Sequence, residues 1–268
     1  MKKHIIAFAA VLLLAAATVV PARAVSLEVN NKPVAIPIAI YNGTSYVPLR
    51  AATNLIAPDA AVSWENGLAV IRKAGLTVTA RPGAYYIEAN GRYLFADQSV
   101  KLIDGVTSVP VRVLAKALGA TVGWDGATGT VSVTGGSGTL EAGDTYYNAD
   151  ELYWLSRIIS AESQGEPLRG KIAVGNVILN RVKSPDFPNS IYGVIFDDRW
   201  GGQFEPVQNG TINNAPDTQS IIAAKLCLDG ASVAGSSLFF LNPSISTNFW
   251  IMDNRSHLAT IGSHAFYA

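Results

Sequence analysis

The sequence predicts two domains of different class: a β-rich α+β domain with an internal repeat, then a mostly α domain. Three observations carry this reading. A motif in the first half recurs after 62 residues, a Gly-rich segment interrupts the chain at Gly135–Thr139, and from Tyr146 the apolar spacing turns helical.

Residues 1–24 read as a secretory leader. Lys2 and Lys3 precede an apolar run from Ile5 to Val20, and Ala22-Arg23-Ala24 supplies a small-x-small cleavage site. That run is too short and wrongly flanked for a stable spanning helix. No later run approaches the ~18 apolar residues of a membrane segment, so no stable membrane anchor is expected once the leader is removed. Without Lys2, Lys3 and Arg23 the 20 basic residues become 17 against 20 acidic ones, a net charge of −3. This balance argues against nucleic acid as a partner, because binding phosphate needs a basic face. Roughly 240 remaining residues suffice for two modest cores. Cys227 is the single cysteine, which rules out an intramolecular disulfide, and only His257 and His264 remain as histidines. A Cys/His zinc site is thereby nearly excluded, and no metal or cofactor is expected.

The first domain spans residues 25–134. Gly43-Thr44-Ser45-Tyr46-Val47-Pro48-Leu49-Arg50 returns as Gly105-Val106-Thr107-Ser108-Val109-Pro110-Val111-Arg112. Each copy continues into a short helical pattern, Ala51–Ile56 and Val113–Leu118. A strand with a tryptophan and an acid follows, Val62-Ser63-Trp64-Glu65 and Val122-Gly123-Trp124-Asp125, and a final strand closes each copy, Leu68–Ile71 and Thr130–Val133. Between the copies Leu76–Ala80 and Tyr85–Ala89 alternate like half-exposed strands, and Asn90-Gly91 predicts a hairpin turn.

This doubled Val-Pro-Leu-Arg, short helix and Val-x-Trp-Asp pattern resembles the domain named after the N-terminal part of copper amine oxidases. The name does not imply copper here, since the region has no histidine or cysteine. Arg50, Arg112, Trp64 and Trp124 are expected to organise the cores of the two copies. Attachment to a cell wall through this module is left open.

Residues 135–145 form the linker, and the second domain covers 146–268. Its first helix is predicted over Asp150–Gln164 and its second over Leu168–Lys183, stopped by Pro185. Ser190–Ile195 reads as a short apolar turn or helix and Asp197–Gly210 as a Gly-rich loop. A third helix runs over Pro216–Leu228, started by Asp217 or Thr218.

The residue that organises this domain is Glu162. Leu155, Ile158, Ile159 and Glu162 share one helical stripe, which places a carboxylate on the inward face; Gly165 and Pro167 then end the helix. Desolvation and the negative end of the helix dipole both favour the protonated acid, the form that a general acid needs to cleave a glycosidic bond. Spacing alone favours a plainer reading, in which Glu162 reaches water or pairs with Arg157 or Arg169.

A resemblance reverses that balance. Ala161–Pro167, Gly170–Val182, Phe187–Ile195, Gly202–Val207, Leu238–Pro243 and Ile261–Tyr267 together resemble the cell-wall hydrolase family that includes spore cortex-lytic enzymes. The resemblance implies a lysozyme-like domain that acts on peptidoglycan glycan strands at the envelope or spore cortex, with Glu162 as the catalytic acid. In lytic transglycosylases of this sort one carboxyl protonates the leaving oxygen and then takes the proton of the muramic C6 hydroxyl. A hydrolase would want a second carboxylate. Glu205 is the better candidate for it, because Glu166 follows the helix-breaking Gly165 and reads as structural.

Gln203, Phe204, Glu205, Tyr192, Asn242 and Trp250 have the residue types of a sugar groove, aromatic faces and polar hydrogen bonders. For each singly, a packing or turn role is an equal reading. Cys227 with His257 or His264 suggests a cysteine peptidase, but a helix C-terminus disfavours a thiolate, so Cys227 reads as core. His264 reads as a hydrogen-bonding support. A glycan-binding protein without catalysis is the competing class.

Overall fold

The computed structural model describes residues 25–136, 140–199 and 201–268. The leader expected at 1–24, linker residues 137–139 and Trp200 lie outside them.

The N-terminal region runs β1 (Ser26–Val29), β2 (Lys32–Val34), β3 (Ala39–Tyr41), β4 (Thr44–Pro48), α1 (Leu49–Ile56), β5 (Ala61–Glu65), β6 (Leu68–Lys73) and β7 (Leu76–Ala80). It continues with β8 (Tyr86–Ala89), β9 (Arg92–Phe95), β10 (Lys101–Ile103), β11 (Val106–Pro110), α2 (Val111–Ala117), β12 (Ala120–Asp125) and β13 (Thr130–Gly135). These strands make three sheets, ordered β12-β13-β1-β2, β10-β11-β4-β3 and β5-β6-β7-β8-β9.

The two Val-Pro strands lie side by side. β4 and β11 are antiparallel, with Val47 opposite Val109, Tyr46 opposite Pro110 and Pro48 opposite Ser108. Each strand then turns at its proline into a helix. Pro48 and Pro110 occupy the N-caps of α1 and α2, where the fixed φ of proline suits a helix start. Leu49, Ala52, Thr53 and Ile56 face inward from α1, and Val111, Leu114, Ala115 and Ala117 from α2. They join Val47, Val109, Ile71, Val78 and Ile87 in one core.

The expected role of the four motif residues is corrected. Trp64 and Trp124 are 53% and 52% exposed, and Arg50 and Arg112 are also exposed. In β12 the buried residue is Ala120, and Trp124 and Asp125 are exposed. The helix arginines sit one residue after the buried Leu49 and Val111, on the outer face. Aliphatic side chains already fill the interior.

The C-terminal region is helical, with a small sheet. It runs α3 (Gly143–Tyr146), α4 (Ala149–Glu162), α5 (Leu168–Lys183), α6 (Ile191–Ile195), α7 (Glu205–Gln208), a 3-10 turn (Thr211–Asn213) and α8 (Thr218–Leu228). After these come β14 (Phe239–Leu241), α9 (Trp250–Asn254), β15 (His257–Ile261) and β16 (His264–Tyr267). The second helix has the predicted bounds. The first starts one residue early, because the Asn148 side chain caps it by accepting from the amides of Asp150 and Glu151, and ends two residues early, at Glu162. The third starts two residues late, at Thr218, with Asp217 as its N-cap. The expected loop Asp197–Gly210 contains α7, and the tail forms the antiparallel sheet β14-β16-β15. Local periodicity is too short to announce either one.

A second core fills this region, from Leu155, Ile158 and Ile159 of α4, Ile172, Val174, Val177 and Ile178 of α5, and Ala223, Ala224, Leu226 and Cys227 of α8. Cys227 is buried, and burial pushes its thiol well above the ordinary range, which suits a packing residue and not a nucleophile.

The two regions meet along β9 and the end of α8. Arg92 grips Asp229 with two hydrogen bonds, Nε at 2.8 Å and Nη2 at 3.0 Å, and Lys116 adds a third at 2.6 Å. Tyr147 accepts from the amide of Tyr93 at 3.0 Å, and the guanidinium of Arg92 lies 3.4 Å from the ring centre of Tyr146. The segment after residue 139 is held too: Asn90 accepts from the amide of Gly143 and its side chain donates to the Leu140 carbonyl.

Candidate active site

Glu162 is the last residue of α4. Ser163 follows in a non-helical conformation, its hydroxyl donating to the Ile159 carbonyl. Lys171, only 4% exposed, reaches back from α5 and donates to the Ser163 carbonyl at 3.1 Å. Its ammonium also bonds Asp217 and Ser220, each at 3.0 Å. Burial opposes the charge on Asp217, but hydrogen bonds from Lys171 and Ser220 outweigh it and hold the acid at about 2. This ion pair thus ties the end of α4 to the start of α8.

The turn beyond Glu162 is fixed from the other side. Glu166 accepts the Ser263 amide at 3.1–3.2 Å and stands 3.7 Å from Nδ1 of His264. Its structural reading fits this placement. A side chain at Gly262 would collide with the carboxylate of Glu166, since a Cβ there would fall 1.8 Å from Oε2. His264 differs from expectation: its Nδ1 is buried without a hydrogen-bond partner among the described residues, and burial lowers its pKa. It supports Glu166 by packing, with its ring against Phe240.

The Glu162 carboxyl is largely desolvated, and this raises its pKa to about 7, with the nearby Glu205 carboxylate pushing further up and the Arg181 cation pulling back. That is a group protonated in part near neutrality. It can deliver a proton and take one back, which is the requirement for general acid–base work.

Arg181 is the residue that spacing did not single out. It is 5% exposed, and burial lowers its pKa to about 10, while Asp197 and Glu162 favour its charge. Its Nε donates to the Leu238 carbonyl at 2.7 Å and its Nη1 to Oε1 of Gln203 at 3.2 Å. Phe187, Phe204 and Phe239 surround the guanidinium with ring centres 4.7, 5.3 and 5.4 Å away. The available signal was its place on the inward stripe of α5, four and three residues after Val177 and Ile178.

The six predicted groove residues do not form one cluster. Gln203 and Glu205 join Glu162 and Arg181. Phe204 is 4% exposed, and its ring packs beneath Arg181, so it presents no face to a sugar. Tyr192 is 55% exposed and stacks on Phe196 with centres 4.5 Å apart, beside Trp154. Trp154 precedes Glu162 by eight residues, about 12 Å along the axis of α4. Tyr192 therefore packs about two turns back from Glu162 along that helix. Asn242 spends its side-chain oxygen on the Ser244 amide, in a turn. Trp250 is 51% exposed and is linked to Arg181 through Arg255 and Phe239.

A largely desolvated carboxyl at the end of α4, the buried guanidinium of Arg181 and the neighbouring Gln203 and Glu205 make up the candidate site. Residues 165–267 match the family model described as Cell Wall Hydrolase, and residues 28–133 the one described as Copper amine oxidase N-terminal domain. The chain carries one domain of each kind, and Glu162 stands three residues ahead of the first match. Over 120 residues it is 36% identical to the spore cortex-lytic enzyme of Bacillus cereus, covering 45% of each protein. With that of Bacillus subtilis the identity is 33%, over 45% of this chain and 38% of the other. The chain thus matches less than half the length of these relatives. The solved catalytic domain of the Bacillus cereus SleB protein is 35% identical, covers 46% of this chain and 92% of that one, and superposes with a TM-score of 0.42. Among the described residues no helix is long and apolar enough to cross a membrane.

Proposed function

We propose that this protein is an exported enzyme that cleaves the glycan backbone of peptidoglycan, as a lytic transglycosylase with Glu162 as sole acid and base. The observation that carries the reading is the carboxyl of Glu162, desolvated at the end of α4 with its pKa raised to about 7. The names of the relatives, spore cortex-lytic enzymes, supply the substrate class.

In the proposed reaction Glu162 gives its proton to the glycosidic oxygen as the bond from muramic C1 breaks. The resulting carboxylate then takes the proton of the C6 hydroxyl while that oxygen bonds to C1. The acid is regenerated and no water is consumed. Gln203, held by Arg181, offers an amide to the substrate at the rim. The domain is lysozyme-like in this reading, bounded as 146–268 and joined to 25–134 by linker 135–145. The N-terminal half is an internal duplication whose two copies meet at Val47 and Val109.

Glu205 favours a second reading. Its charge is felt by Glu162, and a carboxylate there suits a hydrolase that activates water. Mass spectrometry of a peptidoglycan digest separates the two. Anhydromuramic ends, one water lighter than reducing ends, are expected, and reducing ends would replace the transglycosylase with the hydrolase. Sedimentation with peptidoglycan and no soluble fragments would leave only a glycan-binding protein.

A further inference from the structure

A cleft of about 900 Å³ opens far from Glu162 in the chain, where α2, β12 and the β3–β4 hairpin face residues 229–232 of the C-terminal region. Arg112, Trp124, Ile40, Ser45, Phe95 and Asp97 are among its lining residues. Its size is that of a small-molecule or oligosaccharide site.

Three features mark it as built for a ligand. Trp124 is 52% exposed, although a large apolar ring ordinarily finds cover. Arg112 is exposed and makes no hydrogen bond or ion pair among the described residues. The other charges at the cleft are accounted for differently. Asp229 is neutralised by Arg92 and Lys116, which leaves Arg112 as the free cation and Asp97 as an exposed carboxylate. The repeat in the sequence sharpens the point. Arg50 and Trp64 are the counterparts of Arg112 and Trp124 and are also exposed; the second pair lines this cleft together with residues 229–232. Docking of the C-terminal region has therefore given the surface around Arg112 and Trp124 a second wall.

We propose that this cleft binds a saccharide bearing a carboxylate. The indole of Trp124 offers a flat apolar face for a pyranose ring, the guanidinium of Arg112 a fork for the carboxylate, and Asp97 an acceptor for ring hydroxyls. A muramic acid unit with its lactyl or peptide carboxylate has this chemistry, and so does a uronic acid unit of a wall polysaccharide. Muramic acid as the source rests on the peptidoglycan reading above; the cleft itself does not.

The test uses the full chain carrying Glu162→Gln, so that probes stay intact, and follows the indole N–H signal of Trp124, identified by its loss in Trp124→Phe. A muramic-acid disaccharide dipeptide, a hyaluronan tetrasaccharide and a neutral N-acetylglucosamine tetramer are titrated in turn. At least one acidic probe is expected to shift the signal, and which one does so names the source. Arg112→Gln should weaken that binding roughly 10- to 100-fold, with an unchanged circular dichroism spectrum. No response to either acidic probe overturns the proposal, as does equal binding of the neutral tetramer or undiminished binding by Arg112→Gln. Digestion by the wild-type chain is assayed in parallel. Absent muropeptides with the Trp124 response intact would refute only the activity; muropeptides without that response would refute only the cleft.

Discussion

Arg92 and Asp229, 137 residues apart, form a two-pronged ion pair with side chains 9% and 1% exposed, and it locks the N-terminal region to the end of α8. Burial alone would raise the pKa of Asp229, yet the hydrogen bonds from Arg92 and Lys116 hold it below its ordinary value.

Asp229→Ala should therefore strand the buried Arg92 and weaken docking by about 3–5 kcal/mol. Limited proteolysis by a broad-specificity protease is expected to nick Gly135–Asp144. The wild-type fragments should then stay together on a sizing column, and those of Asp229→Ala should separate. Cleavage within Leu68–Leu94 with 135–144 protected would refute this layout. The depressed pKa has a sign: the stabilisation is present above the unfolded carboxyl range and is lost as pH falls through the folded value. Dissociation of the nicked wild-type fragments on acidification checks it.

Glu162 should set the alkaline limb of the activity profile. With its pKa near 7, kcat/KM is expected to fall about tenfold per pH unit above that point and to flatten below it. Glu162→Gln should lose about 10²–10⁴-fold in rate. Full activity of that variant would refute both the transglycosylase and the hydrolase.

The same group makes a stability prediction of opposite sign to that of Asp229. A raised carboxyl pKa contributes stability that is complete below the unfolded value and lost as pH rises through about 7. Glu162→Gln should remove that loss, so its melting temperature should gain on wild type between pH 5 and pH 8. The gain corresponds to on the order of 2 kcal/mol.

Glu205→Gln separates the two mechanisms. Removing the like charge should lower the pKa of Glu162 and move the alkaline limb to lower pH. A transglycosylase keeps its acid-side plateau in this variant. A fall of the plateau by orders of magnitude, with reducing ends in the wild-type digest, identifies Glu205 as a second catalytic carboxylate.

Lys171→Met tests how the end of α4 is held. The variant leaves the Ser163 carbonyl without its ammonium donor and should lower kcat about tenfold or more through misplacement of Glu162. The limb near pH 7 should stay in place, because Lys171 is not among the charges that shift Glu162. A displaced limb would mean that Lys171 acts through its field.

The sequence by itself determined the elements whose signals are local. Leu155, Ile158, Ile159 and Glu162 declared one stripe of α4, and Leu168–Lys183 declared α5, because a 3.6-residue period and its end signals lie within a single helix. Asn90-Gly91 announced its hairpin for the same reason. Tertiary structure decided what depends on partners distant in the chain. Phe204 turned inward into the second core, against Arg181, and the motif tryptophans and arginines turned outward because aliphatic side chains had filled the first core. Desolvation of Glu162, its exchange of field with Glu205 and Arg181, and the clasp of Asp229 by Arg92 and Lys116 all arise between residues that no short window contains. Periodicity records which face is apolar; burial and charge depend on what that face meets.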